Sequence, residues 1–164
     1  MHARPLVPDD FVVPDPLETH RLRLRPLTVH DLVKDYDAVM TSVERLRPVF
    51  GPDQDWPVGL TLEQDLADLG WHQVEFQLRT SFAYTVVRLD ESEILGCVYF
   101  FPSDKRDHDV DVVLWVRQSE AETGLDEHLE SAVAAWIDSL WPFECPGFPG
   151  RLVPWSEWQN LPEK

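Results

Sequence analysis

Apolar and polar side chains alternate along residues 19–27, where Leu22 and Leu24 fall on one side and Arg21, Arg23 and Arg25 on the other. This period of two predicts a half-buried strand. Three longer apolar runs predict further strands, at residues 82–89, 94–101 and 110–116. The second and third runs are nearly continuous, which is typical of strands that are covered on both faces.

Helical spacing occurs before, between and after these strands. Leu125, Leu129, Val133 and Ile137 form one apolar stripe, which predicts an amphipathic helix over residues 125–140. Thr28 precedes Asp31 by three residues and Thr61 precedes Gln64 by three residues, a spacing that predicts the start of a helix at each threonine. Helical segments are thus predicted at residues 28–40, 42–50 and 61–78.

The order of these elements predicts an α/β (α+β) fold, a mixed and mostly antiparallel sheet with helices on both faces. We expect strand 110–116 to be central and to diverge from the segment that follows. The chain divides into an extended, Pro-rich N-terminal arm (1–16), one domain (17–140) and a Pro- and Trp-rich tail (141–164). Because the tail carries much apolar area, we expect it to pack on the domain or on a second subunit of a homodimer.

The negative net charge of the chain limits the kinds of molecule that we expect it to bind. Its 164 residues include 30 acidic and 14 basic side chains, a formal net charge of −16. Nucleic acids and anionic membranes attract basic surfaces, so neither is an expected partner, whereas a cationic amine is compatible with this charge. We expect a cytoplasmic protein, because no apolar run reaches the length of a membrane span and the arm lacks the apolar segment of a signal peptide.

Three stretches of the sequence resemble the GNAT-type N-acetyltransferase superfamily. Residues 17–27 with Asp31 are similar to its opening strand and first helix, residues 94–99 to its central strand, and residues 114–125 to its strand, pyrophosphate loop and helix. The resemblance covers residues 17–140 and implies transfer of an acetyl group from acetyl-CoA to a small-molecule or peptide amine. It further implies contacts to acetyl-CoA from Val116, Glu122, Thr123, Gly124 and Leu125.

The sequence departs from the family's pattern in two places. The family's loop carries a basic residue and two glycines that let the backbone approach the pyrophosphate. Here Gly124 is the single glycine, Glu122 stands at the other glycine position, and residues 118–127 contain four acids and no base. The tail also lacks the tyrosine that commonly acts as the general acid. A second hypothesis is therefore a non-catalytic binding or assembly module of the same fold that has lost coenzyme binding.

Asp111 is the candidate catalytic residue, because it lies on the strand where some family members place a glutamate that deprotonates the amine. The alternative is that Asp107, Asp109 and Asp111 form the solvated face of an alternating strand. Three aromatic residues could line an acceptor cleft between the second helix and the sheet, or could pack in the core: Trp56, Trp71 and Tyr84.

The remaining chemically active residues are expected to be structural. His108 and His128 could shuttle protons by residue type alone, but both are expected to be exposed. Cys97 has no histidine beside it in the sequence and is expected to pack as a small apolar residue. The only other cysteine is Cys145, so neither a disulfide framework nor a metal site is expected.

Overall fold

The computed structural model describes residues 3–164, which form a five-stranded sheet in the order β1-β2-β3-β4-β5. The strands are Arg23–Pro26 (β1), Phe82–Val87 (β2), Ile94–Pro102 (β3), Val110–Val116 (β4) and Pro146–Gly147 (β5). The first four pair antiparallel, and β5 pairs with β4 in parallel. The mixed, mostly antiparallel sheet predicted from the sequence is confirmed, although β3 rather than β4 is its middle strand.

The helices are Leu32–Met40 (α1), Val43–Leu46 (α2), Leu62–Leu78 (α3), Leu125–Leu140 (α4) and Trp155–Trp158 (α5). Thr61 closes a capping box at the start of α3, and Thr28 closes another before the turn of 3-10 helix that precedes α1. The predicted helix over residues 42–50 is helical only in α2, because Pro48 has no N–H to continue it. No helix within residues 3–164 is long and apolar enough to cross a membrane.

Each face of the sheet has its own apolar core, which confirms helices on both sides. On one face α4 packs over residues such as Tyr84 and Phe100. On the other face α1 and α3 cover Cys97, Tyr99 and Trp115. Successive residues of β3 and β4 point to opposite faces of the sheet. Because both faces are covered, both strands are apolar along almost their whole length.

The tail returns to the sheet. Trp141, Phe143 and Phe148 are buried in the core beneath α4, and Trp158 is buried against the backbone of β5. From the N-terminal arm, Phe11 packs on the ring of Trp141. Much of the apolar area that suggested a second subunit is therefore covered within the chain. The first two residues of the arm lie outside the described residues.

The short β5 leaves an opening beside β4. It pairs only with Val110 and Asp111, at the start of β4. Beyond that point the tail passes at a distance and encloses a groove of about 280 Å³. We call this space the β4 groove; it is lined by Leu114 of β4 and by Pro149, Arg151 and Trp155 of the tail, among others. The expected divergence of β4 from the segment that follows creates this groove.

Candidate active site

One row of backbone groups of β4 faces the β4 groove. Arg117 donates its backbone N–H to β3, and the alternation of an antiparallel ladder therefore turns the backbone groups of Leu114 and Val116 away from β3. Arg151 Nη2 donates to the Leu114 carbonyl at 3.1 Å, and Arg45 Nε donates to the Val116 carbonyl at 3.0 Å. The Val116 N–H lies on this same edge.

Helix α4 begins beside the groove, and its first turn carries Asp126. The Asp126 carboxylate accepts hydrogen bonds from Arg151 at 2.7 and 2.9 Å and from Arg45 at 3.4 Å. One turn later, Glu130 accepts from Arg151 at 3.3 Å. Burial opposes ionisation of Asp126, but the two guanidinium groups hold its pKa below the ordinary value. Two cations and two anions thus form one ion cluster at the groove.

The loop before α4 is built around a buried acid. The Glu120 side chain accepts hydrogen bonds from Arg88 and from the Thr123 hydroxyl, both at 2.7 Å. Gly124 follows Thr123 with φ of 77°, a left-handed conformation that favours glycine, and Glu122, two positions before it, is exposed. The acid at position 120 is therefore an internal support of the loop rather than a free charge facing a ligand.

Four arginines from distant parts of the chain reach the loop and first turn of α4. Arg21 donates to the Thr123 carbonyl at 3.1 Å, and the others pair with Glu120 or Asp126 as described above. They lie between 25 and 102 positions from their partners in the sequence. The sequence predicted an acidic loop because residues 118–127 contain four acids and no base. The structure corrects this prediction, because tertiary ion pairs neutralise two of the four acids.

Asp111 lies in a second cavity, of about 460 Å³, which we call the Asp111 cavity. Its Oδ1 atom is buried and has no hydrogen-bond partner among residues 3–164. Burial raises the pKa of Asp111, although the nearby Ser103 side chain acts in the opposite direction. Asp109 instead accepts hydrogen bonds from the backbone N–H groups of residues 144 and 145. Asp111 is therefore not part of a uniformly solvated acidic face.

The three aromatic residues predicted for an acceptor cleft lie in different places. Trp56 lines a third cavity, of about 240 Å³, between α1, α3 and the sheet, which we call the Trp56 cavity. Trp71 is 67% exposed on the outer side of α3, because the helical period turns it away from the sheet. Tyr84 is 1% exposed under α4, because alternation along β2 directs it to the opposite face. Of the three, only Trp56 lies in a cleft between the helices and the sheet.

The Asp111 cavity has lining residues in common with each of the other two cavities. The Asp111 cavity shares Val113, Pro149 and Trp155 with the β4 groove, and it shares Phe50 with the Trp56 cavity. A row of spaces therefore runs from the start of α4, past Asp111, to the region between α1 and α3.

The histidines and cysteines considered from the sequence do not line this row. His128 hydrogen bonds with the Thr19 hydroxyl at 2.8 Å, and His108 hydrogen bonds with the Cys145 carbonyl at 3.1 Å. Cys97 is fully buried, and burial raises the pKa of its thiol. Within the described part of the chain, no group of three or more histidine, cysteine or acidic residues is placed to hold a metal ion.

No protein-family model and no curated protein matches the sequence, but solved structures match the fold. The ribosomal-protein-S5-alanine acetyltransferase from Vibrio fischeri has a TM-score of 0.60 at 18% identity, over 76% of this chain and 67% of that one. RimL, a ribosomal L7/L12 alpha-N-protein acetyltransferase in complex with coenzyme A, has a TM-score of 0.61 at 15% identity, over 75% and 67%. The microcin C7 self-immunity acetyltransferase MccE, in complex with acetyl-CoA and AMP, has a TM-score of 0.54 at 11% identity, over 74% and 65%. The chain described here thus has the fold of the GNAT acetyltransferases.

Proposed function

We propose that this protein is an N-acetyltransferase that moves the acetyl group of acetyl-CoA to an amine. The observation that carries the proposal is the row of adjoining cavities between the arginine-lined start of α4 and the buried carboxyl group of Asp111. A donor at one end and an amine at the other would meet beside a group that can accept a proton. The coenzyme A and acetyl-CoA complexes of structures with this fold support the same proposal.

The donor end suits an anionic coenzyme. Arg45 and Arg151 bring two guanidinium groups to the β4 groove, and the first N–H groups of α4 have no partner within the helix. Gly124 lets the backbone approach a phosphate closely. We therefore keep residues 122–125 and Val116 as the proposed coenzyme contacts, through backbone groups, and add the two arginines.

The acceptor end provides a half-buried carboxyl group that can act as a base. Acetyl-CoA would supply an acyl group that is already activated as a thioester. Asp111 accepts the proton that the amine loses as its nitrogen bonds to the acyl carbon, while the carbon–sulfur bond breaks and the sulfur leaves as a thiol or thiolate. A raised pKa brings Asp111 nearer to neutral pH, where a general base is most effective.

A non-catalytic binding module is the second candidate function, and one observation favours it. The outward carbonyls of Leu114 and Val116 already accept hydrogen bonds from Arg151 and Arg45. Asp126 also places a carboxylate where a phosphate would be attracted to the helix start. A ligand along β4 must therefore displace this ion cluster or bind beside it.

Isothermal titration of the purified chain with acetyl-CoA separates the two candidates. For the enzyme we expect saturable binding, and we expect Arg45→Ala to weaken it at least about tenfold, because a hydrogen bond to a charged group contributes about 1.5–3 kcal/mol. Arg47→Ala is the matched control, since Arg47 lies on the surface and pairs with Glu44 of the same segment. If the wild-type chain does not bind acetyl-CoA, the acetyltransferase proposal is wrong.

The same preparation tests the base. Asp111→Asn is expected to keep its affinity for acetyl-CoA and to lose acetyl transfer to amines by about 100-fold or more, the usual contribution of general base catalysis. Asp107→Asn, on the exposed connection before β4, is the matched control. Equal transfer rates for wild type and Asp111→Asn would remove Asp111 from the mechanism.

A further inference from the structure

The Trp56 cavity combines acidic and aromatic walls. Its carboxyl groups come from two helices, with Asp35 on α1 and Asp65 and Asp68 on α3. Its rings come from the loop after α2 and from β3: Phe50, Trp56 and Tyr99. None of these acids is used by the proposed acetyl transfer.

Two of these carboxyl groups are buried without a cation. Asp35 is 4% exposed and Asp65 is 3% exposed. Each carboxyl group affects the ionisation of the other, and neither forms a salt bridge with an arginine or lysine among residues 3–164. Buried carboxylates in proteins are normally paired with a cation or a metal. The fold therefore maintains a costly arrangement that a positively charged ligand would complete.

Two residues that line the same cavity have buried polar atoms without a partner in the described part of the chain. Asp65 Oδ2 is buried and, apart from the proton that Asp35 can share, has no donor among residues 3–164. His72 Nδ1 is also buried without a partner in that range. Asp68, on the exposed side, extends the acidic character to the rim of the cavity. A ligand that donates N–H groups would satisfy atoms that the protein leaves open.

The aromatic walls distinguish between a metal ion and an organic cation. Phe50 lies 5.0 Å from Trp56 and 5.3 Å from Tyr99, centroid to centroid, both edge to face. Aromatic faces attract ammonium groups and cover alkyl chains, whereas a metal ion prefers a complete shell of oxygen, nitrogen or sulfur ligands. Residues 3–164 contain no cluster of ligands arranged to hold a metal. The cavity therefore suits an organic ammonium.

We propose that the Trp56 cavity binds one ammonium group of an aliphatic diamine. An ammonium held by carboxylates remains protonated and cannot act as a nucleophile. The nitrogen that is acetylated must then be the second one, towards the Asp111 cavity, which has Phe50 as a lining residue in common with the Trp56 cavity. The role of this diamine as acceptor rests on the proposed acetyltransferase function, whereas the binding of its ammonium group does not.

The affinity should depend on pH with a definite sign. Burial raises the pKa of Asp65 to about 6, and burial together with the neighbouring Asp65 raises that of Asp35 as well. A bound cation favours ionised carboxyl groups, so affinity falls as the pH drops through about 6. Burial lowers the pKa of His72, and its protonation in more acidic solution would oppose the ligand further. The other titratable or charged groups facing the pair and His72 are Asp31 with its partner Arg25, Asp68, Glu75, Cys97 and Tyr99.

The first experiment titrates the full chain with 1,5-diaminopentane, without acetyl-CoA, at pH 8 and at pH 5. We expect binding at pH 8 that is at least tenfold weaker at pH 5. Pentylamine should also bind, whereas 1,5-pentanediol, which has the same length and no charge, should not. Equal affinity for the diol and the diamine would overturn the proposal.

The second experiment tests whether the diamine binds in the Trp56 cavity. Asp65→Asn and Asp35→Asn are expected to weaken diamine binding at least tenfold at pH 8, while Glu63→Gln, on the exposed side of α3, should not. Asp68→Asn, at the rim, should weaken it by a smaller factor and does not disturb the core. Thermal melts check that each variant is folded. Wild-type affinity in the Asp65, Asp35 and Asp68 variants would show that the diamine binds elsewhere.

Failure of this inference is distinguishable from failure of the proposed function. Diamine binding without acetyl-CoA binding would support the ammonium site and reject the acetyltransferase. Acetyl transfer to monoamines without diamine binding would support the acetyltransferase and reject the ammonium site. If both are correct, 1,5-diaminopentane is acetylated on one nitrogen and pentylamine, although it binds, is acetylated much more slowly.

Discussion

Asp126 controls how much positive charge the β4 groove can offer to a ligand. Its carboxylate neutralises Arg45 and Arg151 at the start of α4, where the helix itself attracts anions. Asp126→Asn keeps the shape and frees both guanidinium groups, so we expect acetyl-CoA to bind about tenfold more tightly, for a gain of about 1.4 kcal/mol. Glu127→Gln, an exposed change in the same turn, should have a smaller effect.

Titration of both variants with acetyl-CoA checks this expectation. If Asp126→Asn binds more weakly than wild type, the carboxylate orients the arginines for the ligand and does not compete with it.

At the residue scale, the position of a residue in a strand, loop or helix was predicted from the sequence more accurately than the surroundings of a charged side chain. The loop, Gly124 and the strand position of Asp111 follow from local order and spacing. The environment of each charge does not, because it depends on partners from elsewhere in the chain. Glu120 is the clearest case: its neutralising partner Arg88 is 32 positions away. Asp35 and Asp65 were missed for the same reason, since one lies on α1 and the other on α3.

Among the elements, long periodic segments were predicted most accurately. The helix predicted over residues 125–140 coincides with α4, because its apolar stripe and its preceding glycine agree. The two-residue β5 could not be predicted, since two residues carry no period and its pairing depends on the end of β4. Its position matters nonetheless, because it sets where the β4 groove opens.

Gly147 of β5 provides a test of how the tail is held. A Cβ atom at this position would overlap the ring of Trp158, so Gly147→Ala is expected to lower the free energy of unfolding by about 1–3 kcal/mol. Gly70→Ala, inside α3, meets nothing closer than Val29 at 3.9 Å and should raise it by about 0.5–1 kcal/mol.

Denaturant unfolding of both variants measures whether each change lowers or raises the free energy of unfolding. Unchanged stability of Gly147→Ala would mean that Trp158 is not fixed against β5 in solution.

Across the whole molecule, the buried acids predict how stability depends on pH. A carboxyl group whose pKa is raised by folding stabilises the protein while it stays protonated, and this contribution is lost as the pH rises through the folded-state value. For Asp65 that value is about 6, with burial as the main cause. Asp65→Asn should therefore raise the melting temperature at pH 8, by an amount equivalent to about 1 kcal/mol, and should have little effect near pH 4.

Thermal melts at both pH values, with Glu63→Gln as the control, measure this difference. An equal shift at pH 4 and pH 8 would indicate a packing effect and would contradict the role of the buried charge.

The net charge of −16 describes the chain as a whole but not its surface. Four of its 14 basic residues converge on the start of α4, and three acids converge on the Trp56 cavity. Composition made nucleic acid an unexpected partner and was compatible with a cationic one, but it could not show that paired arginines lie at one end of the row of cavities and carboxyl groups without a basic partner among the described residues at the other. That separation is a property of the fold.

The order of strands in the sheet is also the order of strands along the chain. A sheet of this topology can be assembled by adding one strand at a time, and no strand has to be inserted between two that are already paired. The first three pairings, which are antiparallel, involve no residue of the tail that forms a wall of the β4 groove. The groove forms only when α4 has crossed the sheet and β5 docks in parallel, bringing Arg151 with it. Completion of the proposed coenzyme site therefore requires the tail to dock, because Arg151 and one wall of the β4 groove come from the tail.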